Sequence, residues 1–406
     1  MTSNTPSARD TRIDVFRALA LITIYINHVP GTPYEQFTHK NIGFSDAAEA
    51  FVLISGIAVG LAYGLKFAPG NRLLMALKAL RRTATLYLTH IVVTLVTLAI
   101  FSAGAVLFAE PELLTKINIE KVVTDTPESM IGLVTLGHQL GYNNILSLYA
   151  VLLALVPLFL MIGAISKRLL LVVSGLVWLA SGIFKIAPPN YPTDGVWFLN
   201  PLSWQFLFVI GMVAIVHVKR GGRLPTHPLL VGAAALYLLV SFLWVRIPLW
   251  GIDISAGLPQ VLTGFNKTYL SAPRLLHVLS AAYLIAIIPA IANLARTDER
   301  NPLAIVGKHS LPVFVAGTLL SMVAQVIKEV QPDSFALDTA IISGGLLLQF
   351  ALAYYLNWLP SIGWGGKKAA RRAPAPARAK PNLASPPAGA APALVPVRVA
   401  RRDGRG

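Results

Sequence analysis

The chain of 406 residues contains no cysteine. That excludes disulfides, thiolate nucleophiles and a thioester formed on the protein itself, and it names no compartment. Charge is the second scarcity: 13% of residues are Asp, Glu, Lys or Arg and 55% are hydrophobic, whereas soluble chains carry about a quarter charged. With a mean hydropathy of +0.64, a water-soluble fold is excluded and most of the chain has to form membrane spans. Acid is scarcest of all, 18 residues against 34 Lys and Arg, for a net charge of +16.

A helix needs about 20 mostly apolar residues to cross a hydrocarbon core of about 30 Å. Ten segments come close, near 13–30, 44–65, 84–108, 145–165, 168–186, 202–218, 228–249, 274–294, 304–327 and 337–359. The first carries Asp14, Arg17 and His28 and has no A-x-A-like exit, so it reads as a span and not as a cleaved signal peptide. Orientation follows from the positive-inside rule. Lys66, Arg72, Lys78, Arg81 and Arg82 lie between spans two and three with no acid, so that loop is inside; residues 109–144 carry five acids against Lys116 and Lys121, so the next is outside. Continued alternation predicts an all-α, polytopic fold of about ten transmembrane helices with both termini cytoplasmic. The expected organisation is a short N-terminus at 1–12, a membrane domain at 13–360 and a tail at 361–406. From residue 363 the tail holds ten basic residues and one acid among Ala, Pro and Gly, too few large apolar side chains to bury a core, so it is expected to be disordered. Anionic lipids are its expected partner; nucleic acid is not. No span-scale internal repeat is visible.

Ionisable side chains inside spans are costly and mark function by default. Arg17 and His28 are eleven residues apart, which on a helix is about 20° from whole turns and about 16 Å along the axis. They share a face, Arg17 near the cytoplasm and His28 near the outside, and Asp14 is spaced to pair with Arg17. An arginine reaching cytoplasmic headgroups and an interfacial histidine would explain each alone. Together they suggest a cation for an anionic ligand, with a general base deeper in. Asp46 and Glu49 open the second span at the depth of His28. Either could be a solvated interfacial acid, or could orient the imidazole as the acid of a catalytic triad does. Asn144, Trp204, Gln205, Lys267, Arg274 and His277 fall at the same outer level, as an acceptor-binding site would. At the inner face Lys308 could join Arg17 on phosphates. His90 and His138 read as structural.

The run Arg12-Ile-Asp-Val-Phe-Arg17, ten residues and then His28, followed by Phe51-Val-Leu-Ile-Ser-Gly56, resembles the membrane acyltransferase-3 superfamily with its R-X10-H element. Gly43-Phe-Ser-Asp-Ala-Ala-Glu49, Asn144-Ile-Leu-Ser-Leu-Tyr149, Asn200-Pro-Leu-Ser-Trp-Gln205 and the stretch Asn266–His277 resemble, more narrowly, its OpgC branch. The resemblance, from about residue 10 to 360, implies a succinyltransferase acting on osmoregulated periplasmic glucans from the bacterial inner membrane. It implies succinyl-CoA as donor substrate and no permanently bound cofactor or metal. His28 would be catalytic with Asp46 or Glu49, Arg17, Asp14 and Lys308 would hold the donor, and Lys267 or Arg274 would meet the succinyl carboxylate or the sugar. Acetylation of another envelope polysaccharide and transport of a glycan or anion are the alternatives.

Overall fold

A computed structural model describes residues 10–252 and 255–362; the expected tail lies outside them from residue 363 onward. The main helices are α1 (Arg12–Asn27), α2 (Ala47–Val59), α3 (Arg72–Leu107), α4 (Asn144–Ile165), α5 (Lys167–Phe184), α6 (Pro201–Lys219), α7 (Pro228–Arg246), α8 (Ala272–Ile287), α9 (Pro302–Lys308), α10 (Ser310–Val330) and α11 (Phe335–Trp358). A helix falls on each of the ten expected segments. Among the described residues eight helices are long and apolar enough to cross a membrane by length and composition, while α1 and α8 have 16 residues each.

Three expected boundaries change. The loop expected over 66–83 is helical from Arg72, because residues 72–82 are Leu, Met, Ala, Lys and Arg, strong helix formers without Gly or Pro. At 36 residues α3 is about 54 Å long, well over the hydrocarbon thickness, so its basic first turns project beyond the apolar stretch. The expected span 274–294 breaks at Ile288, which is extended (φ −87°, ψ 107°) because Pro289 disfavours helical geometry before it. The expected span 304–327 breaks at His309 (φ −101°, ψ 34°). In a continuous helix Pro312 would lack a donor for the Lys308 carbonyl and clash with it; in the first turn of α10 it is tolerated.

Small residues let the helices around α2 close up. A Cβ on Gly56 would stand 2.0 Å from the Phe208 carbonyl oxygen of α6, and one on Gly211 would stand 2.4 Å from the Leu53 oxygen of α2. The centre of the bundle is filled by Trp204, Leu207 and Phe208 of α6, Leu148, Leu152 and Leu153 of α4, and Leu86 of α3, all fully buried. Apolar residues of α3, α5 and α7, among them Leu88, Val172, Leu236 and Leu239, point outward, as lipid-facing helices require. The acidic outer segment is no plain loop. Leu113, Ile119, Leu133 and Leu140 pack with Phe101 and Ala105 of α3 and Met322 and Val326 of α10 into a separate apolar cluster.

Candidate active site

His28 caps the C-terminus of α1. Its ring stacks on Tyr142, with centroids 4.2 Å apart and planes 10° from parallel. Its Nδ1 is buried with no hydrogen-bond partner, and its carbonyl accepts from Gln325 Nε2 at 3.0 Å. Lys267 and Asp46 lie near enough for their charges to act on the ring. Tyr142 thus sets the plane of the imidazole, a role that sequence reasoning missed. The only sign of it was an aromatic residue directly before the Asn143-Asn144 pair.

Asp46 and Glu49 begin α2 as a capping box: Asp46 Oδ1 accepts from the Ala48 N–H at 2.8 Å, and Glu49 Oε2 accepts from the Asp46 N–H at 2.9 Å. The Asp-x-x-Glu pattern before an apolar run is the sequence sign of such a cap. The remaining oxygens meet two cations. Arg274 Nε donates to Glu49 Oε1 at 2.7 Å, and its Nη2, in ion-pair contact with the same oxygen at 2.6 Å, donates to Asp46 Oδ2 at 3.2 Å. Lys267 Nζ is 2.5 Å from the same Asp46 oxygen. Neither carboxylate bonds His28, so the triad-like contact expected of one of them is absent among the described hydrogen bonds. What forms instead is a four-membered, electrically neutral cluster joining α2 to α8, with Glu49 fully buried. Because each charge is compensated, the cluster tolerates low dielectric, and Lys267, with a quarter of its side chain exposed, is its most open member.

The other outer residues divide. Trp204, fully buried, donates Nε1 to the Lys267 carbonyl at 3.0 Å and so holds the loop that presents Lys267. His277 has Nδ1 2.7 Å from Ser45 Oγ, and a Cβ on Gly43 would overlap its ring, which fixes the turn leading into Asp46. Gln205 faces away, donating to the Ser174 and Leu202 carbonyls at 2.8 and 3.1 Å; the expected substrate contact is replaced by a tie between α5 and α6. Asn144 is half-buried and its side-chain amide bonds to no described residue. His138, in the outer segment, donates Nε2 to the Asn118 carbonyl at 2.9 Å, and burial pushes its pKa down. His90 is fully buried in α3.

On the opposite side of α2, Arg17 Nη1 lies 3.3 Å from Asp14 Oδ1 and 3.2 Å from the Gly307 carbonyl of α9. The close crossing of α1 and α9 explains the glycine, since a Cβ there would stand 1.8 Å from the Asp14 carbonyl oxygen. Arg17 opens into a cavity of about 220 Å³ whose other cation is Arg82 of α3. Its wall runs from Tyr63, in the π-helical turn Gly60–Gly64 that follows α2, through Ser55 to Phe51 on α2. Phe51 stacks on Phe314, with centroids 5.8 Å apart, and meets Tyr149 edge-on at 6.1 Å. All three line the cavity, and it ends two residues short of Glu49. Lys308 is not brought there; its Nζ donates to Asn357 Oδ1 at 2.8 Å on the surface, because the break at His309 ends α9 before that side chain can turn inward. Arg82, assigned from sequence only to a basic loop, takes its place.

These features define a multi-pass α-helical membrane protein with a neutral polar cluster at one end and a cationic cavity approaching it from the other. A family model described as OpgC protein matches residues 9–361, most of the chain and every residue discussed above. The chain therefore belongs to the OpgC protein family, which carries an OpgC-like acyltransferase role in glucan modification. No curated protein and no solved structure matches it.

Proposed function

We propose that the protein is a ten-span O-acyltransferase of the bacterial inner membrane, with both termini cytoplasmic, that moves a succinyl group from succinyl-CoA to hydroxyls of a periplasmic glucan. The observation that carries this reading is the cavity from Arg17 and Arg82 to Phe51, a cationic mouth leading through an aromatic wall to a point two residues along α2 from Glu49. In the proposed mechanism the CoA phosphates meet the two arginines, and the thioester arm runs past Tyr149 and Phe314. Asp14 acts by holding Arg17 in place. His28 takes the proton of the glucan hydroxyl as its oxygen attacks the thioester carbonyl; the C–S bond then breaks, and the imidazolium returns the proton to the departing sulfur. Tyr142 holds the ring for this step. Lys267 is the cation best exposed to meet the succinyl carboxylate or the sugar, while Arg274, Asp46 and Glu49 hold it at the outer face.

The breaks at Ile288 and His309 support a second reading, transport of a glycan or an anion, since transporters bind substrate at discontinuous helices. The deciding experiment is mass spectrometry of periplasmic glucans from cells carrying the wild type, His28→Gln, or no copy. A succinyl mass that appears with the wild type and vanishes with the variant at equal membrane abundance supports the proposal. An acetyl mass would change the donor. Unmodified glucan with either form would favour transport, and full modification by His28→Gln would end the assignment of the base.

A further inference from the structure

A second cavity of about 220 Å³ lies beside the end of α2, among the starts of α3 and α5 and the ends of α4 and α6. Its walls include Phe67, Phe159, Leu160, Met212 and Val216, and among the described residues its polar side chains are Arg72, Lys167 and Arg220. These three come from different elements: Arg72 and Lys167 are the first residues of α3 and α5, and Arg220 follows the last residue of α6. Among the described residues no acid lines the cavity. None of the three makes an ion pair or side-chain hydrogen bond with a described residue; the Arg72 guanidinium stands 5.9 Å from the centre of the Phe67 ring.

Arg72 and Arg220 are exposed and Lys167 is half-buried, so water can solvate all three, but their convergence on the rim of an apolar hollow suits an anion with an apolar body. The start of α3 reinforces this: its first turn holds no acid and no side chain caps it, so its positive dipole end faces the hollow, whereas the start of α5, also without an acid, is capped by Ser166 Oγ on the Leu169 N–H. The wall decides which anion. A nucleotide or a pantetheine arm would bury amide, ribose and base polar groups against side chains that offer no partner apart from the cations, at a cost in each unsatisfied group. A phospholipid needs only a phosphate site and an apolar wall.

We propose that this cavity binds an anionic phospholipid, its phosphate among Arg72, Lys167 and Arg220 and the start of an acyl chain against Phe159, Leu160 and Met212. This site is separate from the Arg17 cavity and does not depend on the acyltransferase reading. The test is native mass spectrometry of the full-length protein in detergent, titrated with phosphatidylglycerol, with phosphatidylcholine, or with phosphatidylglycerol plus free CoA. The expected result is one retained phosphatidylglycerol, little phosphatidylcholine and no displacement by CoA. Arg72→Gln/Lys167→Gln/Arg220→Gln should weaken phosphatidylglycerol binding on the order of 100-fold. Ala164→Phe, which fills the cavity and leaves the cations in place, and Lys167→Gln alone should each weaken it if the triple variant does not fold. Equal retention of both lipids, unchanged binding in these variants, or displacement of the lipid by CoA would overturn the proposal.

Discussion

Glu49 and Arg274 offer a test of the outer cluster in which the order of stabilities carries the answer. Glu49 is fully buried, and its Oε1 accepts from Arg274 Nε at 2.7 Å and lies 2.6 Å from Nη2 in an ion pair. Arg274→Met leaves that carboxylate facing apolar surroundings with only the Asp46 N–H as partner, while Asp46 keeps Lys267. Removing one member of a buried ion pair costs about 3–5 kcal/mol, so this single change should lower the melting temperature markedly. Adding Glu49→Gln removes the stranded charge and retains an oxygen for the Asp46 N–H. The double variant should therefore regain more than half of the loss, and Glu49→Gln alone should cost less than Arg274→Met, because the guanidinium keeps Asp46 Oδ2. The assay is thermal unfolding of the wild type, both single variants and the double variant, purified in one detergent and followed by size-exclusion chromatography. A double variant no more stable than Arg274→Met would refute the view that the two charges compensate each other.

Three further outcomes follow from the geometry. Tyr142→Ala should lower the turnover of glucan acylation at least 10-fold with little change in the donor KM, whereas Tyr142→Phe, which keeps the stacking face, should stay near wild type; equal loss in both would assign the role to the hydroxyl. Arg82→Gln should raise the KM for acyl-CoA about tenfold, the worth of one charged hydrogen bond, and Lys308→Gln should leave it unchanged; steady-state kinetics in proteoliposomes with the two reversed would restore Lys308 to the donor site. Gly307→Val should lower the amount of folded protein in the membrane more than Gly344→Val does. The first adds carbon 1.8 Å from the Asp14 oxygen, and the second meets nothing within 4 Å.

The helical membrane architecture was readable from the amino-acid order, because apolar runs of span length have few other solutions in a bilayer. The pairing of Arg17 with Asp14 was readable too, being local to one helix face. The breaks at Ile288 and His309 were signalled by Pro289 and Pro312, but an apolar run hides such interruptions unless each proline is weighed against the carbonyl it would deprive. Likewise Asp46 and Glu49 carried the pattern of a helix cap, a local use that competes with any catalytic one.

The sequence by itself determined where the chain meets lipid, which residues are too polar to do so idly, and that Arg17 and His28 share a face, since all of these follow from composition and helical period. Only the tertiary structure decided the partners: Asp46 and Glu49 against Lys267 and Arg274 more than two hundred residues away, Tyr142 beneath His28, and Arg82 rather than Lys308 beside Arg17. The reason is physical. A helix face dictates what its own side chains can do, but which other face it meets depends on where glycines such as Gly56, Gly211 and Gly307 let backbones approach, and that contact belongs to two helices at once.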